Sequence, residues 1–151
     1  MKRLSIIIPI YNVEPYVKRC LRSLEFQDIP PDDYEIICIN DGSPDESRAV
    51  VIQMQQEYNN IILIDQENQG VSLARNNGIN RANGKYYLFI DPDDYIETNC
   101  FERILKNAEI KNAQVSFLGF TILNENGTIR QQIFNRAKST EIYSGIEMYH
   151  M

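Results

Sequence analysis

The sequence has few cysteines, one histidine and no long apolar run, and these shortages limit the kinds of protein that it can be. The three cysteines, Cys20, Cys38 and Cys100, are odd in number and lack metal-ligand spacing. They predict buried thiols in a reducing, cytoplasmic setting. His150, alone near the chain end, is assigned no role. No apolar run approaches the roughly 20 residues that span a bilayer, and none of signal-peptide type follows the basic start.

Basic residues are also in the minority. The 151 residues include 15 Lys and Arg against 21 Asp and Glu, which gives a formal net charge of −6. Nucleic-acid-binding proteins normally carry a basic patch, so we expect no nucleic-acid partner. If the ligand carries phosphate, a metal ion has to supply much of the positive charge. The length suits a single domain over residues 1–151 with one well-buried core.

What the chain does have is an apolar run that ends on three carboxylates. Residues 86–90 lack polar alternation, which predicts a central strand buried on both faces. Pro92 cannot donate to a sheet ladder, so the strand ends near Asp91. Asp93 and Asp94 follow at once, and a divalent cation with oxygen ligands would offset the repulsion among these acids. The alternative is an exposed turn in which aspartate merely suits the backbone.

Strand and helix patterns alternate before this acidic stretch. Predicted strands cover residues 4–10, 34–40 and 61–64, and a helix follows each. Such crossovers favour parallel pairing, which places all strand ends at one edge of an α/β sheet. The predicted strand ends are Tyr11-Asn12, Asp41, Asp65 and residues 91–94. A metal, phosphate or nucleotide crevice is expected there.

Cap and turn signals place the remaining elements. Ser43 with Glu46 predicts a capping box at the second helix, and Asn99 predicts the cap of a fourth. A fifth strand over 115–123, a turn at 124–127 and a return strand over 128–134 form an antiparallel hairpin. A short last helix is expected from Ser144.

Four blocks of the sequence, in order and at strand ends, resemble the amino-terminal part of family 2 glycosyltransferases. The blocks are residues 5–12, 39–43, 68–76 and 89–94. The resemblance implies inversion and the Rossmann-like glycosyltransferase A (GT-A) fold, with the acidic DXD motif before the hairpin. It also implies a nucleotide-diphosphate sugar donor, of uridine type, and Mn²⁺ or Mg²⁺. The implied acceptor is a saccharide or lipid-linked hydroxyl in surface polysaccharide or glycan synthesis.

The resemblance assigns the nucleobase to two strand ends. Tyr11 would pack against a uracil-type base, with Pro9 shaping the turn beneath it. Asp41 would accept a hydrogen bond from the ring N–H, which suits a fixed carboxylate. The alternatives are that Tyr11 is an aromatic at the rim of the core and that Asp41 complements a helix dipole.

The resemblance assigns the rest of the donor to the third helix and the acidic motif. Arg75 would reach the base or diphosphate, and its alternative is a solvated helix charge. Asp91 would hold the ribose and, with Asp93, the metal that bridges the phosphates. Asp94 would touch the donor sugar or orient the other acids.

The chain departs from the family pattern in its general base. The family's Asp or Glu comes from a segment after the hairpin, and neither Glu125 nor Glu141 sits in a recognisable motif. We therefore expect a base beyond Met151, a chain truncated at its carboxyl-terminal end, and weak transfer by this chain alone. Missing segments would also mediate peripheral association with the inner membrane face.

Three rival functions remain open. The first is a non-catalytic module that binds nucleotide sugars. The others are a phosphoacceptor domain, which would place a lysine at the strand ends, and a nucleotidyltransferase, which would place a glycine-rich basic loop after the first strand. The sequence shows neither of these two features at those positions.

Overall fold

Strands and helices alternate through the first part of the chain, as the sequence pattern predicts. The computed structural model describes residues 1–116, 118–124 and 126–133. In chain order the elements are β1 (Lys2–Ile10), α1 (Glu14–Glu25), β2 (Tyr34–Asp41), α2 (Ser47–Glu57), β3 (Ile61–Gln66), α3 (Val71–Arg81), β4 (Gly84–Phe89), α4 (Phe101–Lys111), β5 (Phe120–Leu123) and β6 (Ile129–Ile133). They fall into two compact units, Met1–Glu102 and one that begins at Arg103. A single domain over residues 1–151 stays a prediction.

A four-stranded parallel sheet organises the first unit. Its strand order is β3-β2-β1-β4, with Ile8 of β1 beside Cys38 of β2. Every residue of β2 is buried, and so is β1 from Leu4 to Ile10. Continuous burial without polar alternation is typical of interior strands in parallel sheets. The predicted α/β fold with a mainly parallel sheet is confirmed.

The strand before the acidic motif differs from its prediction. β4 pairs with β1 alone among the described residues, so it lies at the edge of the sheet. Its burial alternates, and Tyr87 and Phe89 are 48% and 45% exposed. The expectation of a central strand buried on both faces is wrong for the described part of the chain. Apolar content alone does not reveal which neighbours cover a strand.

Small residues let α3 lie close to the sheet. Ala74 and Gly78 are buried on its inward face, whereas Val71 is about half exposed. A Cβ atom at Gly78 would overlap the side chain of Ile7. The close packing explains a glycine that otherwise costs a helix about 1 kcal/mol.

The three thiols and the inner face of α1 belong to the core. Cys20, Cys38 and Cys100 are buried and free of disulfides, as predicted. On α1, Val17 and Leu24 are fully buried beside Cys20. The helix therefore packs through the apolar stripe that its 3.6-residue period predicts.

The second unit contains the predicted antiparallel hairpin. β5 and β6 pair antiparallel, and Gly127 in the turn has a φ of +79°. β5 begins at Phe120 instead of residue 115, so it is shorter than predicted. Glu125, Glu141, His150 and the helix expected from Ser144 lie outside the described residues.

None of the helices in the described ranges is long and apolar enough to cross a membrane. The longest, α1, has 12 residues, and a spanning helix needs about 20.

Candidate functional site

A cleft opens at the carboxyl edge of the parallel sheet, where strand ends meet the loop before α3. Its volume is about 580 Å³. It is lined by Pro9, Tyr11, Asn12, Val13, Tyr16, Asp41, Asn68, Gly70, Val71, Asp91, Pro92 and Asp93. Open α/β sheets bind ligands at this edge. The structure brings together five of the predicted site residues and leaves Arg75 and Asp94 out of the lining.

Seven of the twelve lining residues were not predicted as site residues, and Tyr16 and Asn68 are two of them. Tyr16 is exposed on α1, off the apolar stripe, and Asn68 lies in the polar loop before α3. An exposed aromatic away from the core face was an available signal for Tyr16. For Asn68 the only nearby sequence signal was Gly70, and a glycine indicates a tight backbone turn but not a ligand.

Tyr11 follows β1 with its ring available to the cleft. Its side chain is 49% exposed. The next residue, Asn12, has a φ of +54°, and its N–H donates to Ser43 Oγ at 2.7 Å. This bond ties the turn after β1 to the loop after β2. Tyr11 can therefore offer an aromatic face from a fixed backbone position.

Pro9 lies inside β1, one residue before the end of the strand. The strand continues through Ile10, and the turn that Pro9 was expected to shape comes at Asn12. The hydrogen-bond ladder between β1 and β4 ends at the pair Ile7 and Phe89, and Pro9 lies beyond that pair. The ladder therefore needs no N–H donor at Pro9. Pro9 still lines the cleft, as predicted.

The carboxylate of Asp41 is at the end of β2 and is almost fully buried. Only 3% of the residue is exposed. Its Oδ1 accepts from Gln66 Nε2 at 2.7 Å and from the Gln69 N–H at 2.8 Å. Its Oδ2 accepts from the Gly70 N–H at 2.9 Å. A carboxylate offers about four acceptor positions, so one remains, on Oδ2.

The loop held by Asp41 also packs closely on the residue that follows it. Gly42 has a φ of +64°, and a Cβ there would lie 3.0 Å from the backbone nitrogen of Asn68. Only glycine meets both conditions without strain. The segment from β3 to α3 is thus held from two adjacent positions.

The predicted capping box at Ser43 is wrong. α2 begins at Ser47, four residues later than Ser43. Ser43 Oγ donates to Asp45 Oδ1 at 2.6 Å, and the same oxygen accepts from the Ser47 N–H. Asp45 Oδ2 accepts from the Glu14 N–H at the start of α1. One carboxylate therefore serves the first turns of two helices, which a local pattern cannot reveal.

The same contacts change the acidity of Asp45. Partial desolvation raises the pKa of this carboxyl, but hydrogen bonds from Ser43, Ser47 and the Glu14 N–H outweigh it and hold the pKa well below its usual range. Asp45 is thus a charged link between the loops that follow β1 and β2.

Asp65 does not reach the cleft. It lies within β3, which runs on to Gln66. Arg48 contacts it through two hydrogen bonds of 2.8 Å each, and Asn40 Nδ2 donates to it as well. These donors lower the pKa of the Asp65 carboxyl. The predicted polar strand end is therefore a structural ion pair.

The acidic motif forms a turn, and Asp91 in this turn is paired with Arg75. The Asp94 N–H donates to the Asp91 carbonyl at 2.9 Å. Asp91 Oδ1 accepts from Arg75 Nη2 at 2.6 Å, and the two side chains are 53% and 35% exposed. Within the described residues, Arg75 Nε is buried and lacks a hydrogen-bond partner. The buried Nε is thus one of the Arg75 donors left for a ligand.

The surroundings of Asp94 make its carboxyl less acidic than usual. Burial raises its pKa, and the charges of Asp93 and Asp91 raise it further, while Arg19 partly offsets them. The repulsion that the sequence predicts among these acids is therefore present.

Three polar side chains bind the backbone of the acidic motif and of the segment that follows it: Arg19 and Ser23 on α1, and Gln27 two residues beyond its end. They recur every fourth residue, at positions 19, 23 and 27. The contacts are Arg19 Nη2 to the Asp93 carbonyl at 3.1 Å, the Ile96 N–H to Ser23 Oγ at 3.1 Å, Gln27 Nε2 to the Glu97 carbonyl at 3.0 Å and the Cys100 N–H to Gln27 Oε1 at 3.0 Å. The Arg19 guanidinium also lies 4.6 Å from the centroid of the Tyr95 ring. We name residues 19, 23 and 27 the α1 polar stripe.

Asn99 does not cap the helix after the motif. It has a φ of +57°, and its N–H donates to the Phe26 carbonyl. α4 begins at Phe101, and Asp28 accepts from the Glu102 N–H at 2.9 Å. The cap therefore comes from the loop after α1.

No three metal-binding side chains converge in the part of the chain that the structure describes. Asp91 and Asp93 nevertheless line the same cleft. Two carboxylates suit Mn²⁺ or Mg²⁺, which commonly complete their shell with waters and substrate phosphates. The residues therefore fit a metal that arrives with a phosphorylated ligand.

A protein-family model described as glycosyl transferase family 2 matches residues 5–148 of the chain. The uncharacterised glycosyltransferase EpsJ of Bacillus subtilis is 41% identical over 116 residues, 77% of this chain and 33% of the relative. The minor teichoic acid biosynthesis protein GgaB of the same organism is 36% identical over 140 residues, 91% of this chain and 16% of the relative. The chain thus spans a third or less of these relatives.

Among solved structures, the chain resembles S. aureus TarS, residues 1–349, in complex with UDP-GlcNAc. The TM-score is 0.68 at 28% sequence identity, and the match covers 73% of this chain and 32% of the other.

Proposed function

The chain belongs to glycosyl transferase family 2, and on that premise we propose that its cleft binds a uridine-diphosphate sugar for transfer to an acceptor hydroxyl. The observation that carries the proposal is the convergence of an aromatic, a buried acceptor and two carboxylates on one cleft. These are Tyr11, Asp41, Asp91 and Asp93. They come from the ends of β1, β2 and β4, where such sheets bind ligands.

The nucleobase lies against Tyr11 and points its ring N–H at Asp41. The half-exposed ring supplies a stacking face, and the remaining acceptor position on Asp41 Oδ2 suits an N–H donor. Pro9 forms the wall behind the base. The complex of TarS with UDP-GlcNAc supports a uridine donor.

The diphosphate lies between the acidic turn and α3. Asp91 and Asp93 would hold Mn²⁺ or Mg²⁺, which supplies Lewis-acid neutralisation of the departing diphosphate. Asp91 also binds the ribose, and Asp94 orients the acids or touches the sugar. Arg75 offers its unpartnered Nε to the phosphates and moves its Nη2 from Asp91 to them, since a guanidinium is a good phosphate partner.

Transfer inverts the anomeric carbon. The acceptor oxygen attacks from the face opposite the diphosphate, the bond to the diphosphate oxygen breaks, and the base takes the hydroxyl proton. We place this base outside the described residues. The acceptor is a saccharide or lipid-linked hydroxyl of a surface polymer, a class supported by GgaB, a teichoic acid biosynthesis protein.

A donor screen by thermal shift tests the proposal. Uridine diphosphate and UDP-GlcNAc should raise the melting temperature with Mn²⁺, more than cytidine or guanosine diphosphates do. A ligand at 100 times its Kd stabilises the native state by about 2.7 kcal/mol. Equal shifts for all nucleotides would contradict the uridine assignment, and no shift with any of them would contradict the donor site.

A further inference from the structure

A line of three polar side chains runs from α3 to the floor of the cleft. Asn77 Nδ2 donates to Gln66 Oε1 at 2.6 Å, and Gln66 Nε2 donates to Asp41 Oδ1 at 2.7 Å. Neither Asn77 nor Gln66 lines the cleft. We call these three residues the Asp41 relay.

The charge of Asp41 sets the direction of both bonds. An ionised carboxylate only accepts, so Gln66 must turn its NH₂ group toward Asp41 and its oxygen away. Asn77 meets that oxygen with its own NH₂ group. If Gln66 were reversed, its oxygen would face the carboxylate, and Asn77 opposes that reversal.

The relay also determines which carboxylate oxygen is left for a ligand. Gln66 and the Gln69 N–H fill both acceptor positions of Oδ1. The Gly70 N–H takes one position on Oδ2. The fourth position is therefore fixed on Oδ2, and the carboxylate cannot rotate without breaking these bonds.

We propose that Gln66 and Asn77 are positioning residues for nucleobase discrimination, because they hold Asp41 as a fixed acceptor that takes only a base with an N–H at the facing ring position. This inference rests on the proposed function of the cleft. Uracil presents a ring N–H there, whereas cytosine presents an unprotonated ring nitrogen. A fixed carboxylate bonds to the first and repels the second.

Loss of the relay should lower selectivity more than it lowers binding in general. Without the Gln66 donor, Oδ1 loses one of two bonds and the carboxylate gains freedom to rotate. The bond to uracil loosens, and cytosine no longer meets a fixed negative oxygen. We expect the ratio of the Kd for cytidine diphosphate to that for uridine diphosphate to fall roughly fivefold or more, the equivalent of one hydrogen bond.

Calorimetric titration of both nucleotides with Mn²⁺, at a temperature where every variant is folded, measures this ratio. Asn77→Leu and Gln66→Met remove the polar atoms with little change in size. Asn80→Leu, at an exposed position on the same helix, is the matched control. Asn77→Ser replaces Asn77→Leu if the latter does not fold.

The outcomes separate the inference from its premise. A lower ratio in both relay variants, an unchanged ratio in the control and no further fall in the double variant support the relay. A parent that prefers uridine while both relay variants keep its ratio overturns the inference and leaves the proposed function intact. A parent that binds neither nucleotide, or both equally, overturns the base pocket and the inference with it.

Discussion

The carboxylates around the cleft differ in how far the chain itself has neutralised them. Asp41 accepts three hydrogen bonds, and Asp91 is paired with Arg75. Asp93 differs from both. Its backbone carbonyl accepts a hydrogen bond from Arg19, but within the described residues its carboxylate has neither a hydrogen bond nor an ion pair. Asp93 is therefore the acid most available to a metal.

Asp93→Asn should remove the metal-linked part of nucleotide binding. Without nucleotide we expect equal or higher stability, because the repulsion between Asp93 and Asp94 is relieved. Thermal shifts with uridine diphosphate, in Mn²⁺ and in chelator, measure the increment. Asp32→Asn, at an exposed position before β2, is the control. Equal increments in the parent and in Asp93→Asn would rule out a metal at this residue.

Tyr11→Ala should weaken uridine diphosphate without lowering the melting temperature of the free protein. Stacking of a base on an aromatic ring contributes roughly 1–3 kcal/mol, and the side chain is too exposed to stabilise the core. Tyr87→Ala removes a ring of nearly equal exposure, 48% against 49%, from outside the cleft lining. Calorimetric titration compares the two variants. Similar losses of affinity in both would place the base elsewhere.

Sequence reasoning found five of the cleft residues but not their partners. Tyr11, Asp41 and Asp93 were predictable because they follow strand patterns and parallel strands share one edge. The pairing of Arg75 with Asp91 joins positions 16 apart in sequence, which no periodic pattern encodes. The contact of Asp41 with Gln69 depends on the path of a loop, which hydrophobic periodicity leaves open.

Among the elements, α1 has two functions on two faces. Its apolar face packs into the core, and the α1 polar stripe, which extends past the end of the helix to Gln27, binds the backbone of residues 93–100. A side chain that forms a hydrogen bond with a backbone N–H or C=O group of a loop restrains that loop, as the backbone hydrogen bonds of a helix or strand do. The acidic motif is therefore anchored on both sides, by β4 and by α1.

Ser23→Ala should loosen the segment after the motif. The Ile96 N–H loses its acceptor, Ser23 Oγ, and one hydrogen bond contributes about 1 kcal/mol. Amide exchange at Ile96 should quicken about fivefold under native conditions. Arg22→Ala, one residue earlier on the exposed side of α1, is the matched control. Unchanged exchange at Ile96 would show that the stripe does not restrain the segment.

The elements were predicted well in type and order and less well at their ends. β1 and β2 have long β-branched runs, and burial in a parallel sheet follows from them. The predicted start of α2 is wrong because Asp45, and not Ser43, accepts the hydrogen bond from the Ser47 N–H. Asp45 is in turn held by the N–H of Glu14 at the start of α1. The prediction that β4 is a central strand is wrong because strand order depends on the whole sheet and not on the strand's own sequence.

The pH dependence of stability belongs to the whole molecule. Asp45 has a folded pKa below the ordinary value of 3.8. A depressed pKa contributes stability that is present above the unfolded value and is lost as the pH falls through the folded value. Asp65 acts in the same direction. We therefore expect acid unfolding to begin below about pH 4.

Asp45→Asn should flatten the acid limb of the stability curve. The variant keeps the shape of the side chain but no longer titrates, so less stability is lost between about pH 4 and pH 2. Urea unfolding at a series of pH values measures the slope. Asp32→Asn again serves as the control. An acid limb as steep in Asp45→Asn as in the parent would contradict the assignment.

The central claim, that a nucleotide binds at the carboxyl edge of the sheet, is tested most directly by amide NMR shifts on titration with uridine diphosphate and Mg²⁺. A chain of 17.6 kDa suits this measurement. We expect saturable shifts at Asn12, Gln69, Gly70 and Asp93, and none at Lys2, Gly84 or other residues of the opposite edge. Shifts centred on the opposite edge, or no saturable shift at these four amides, would contradict the claim.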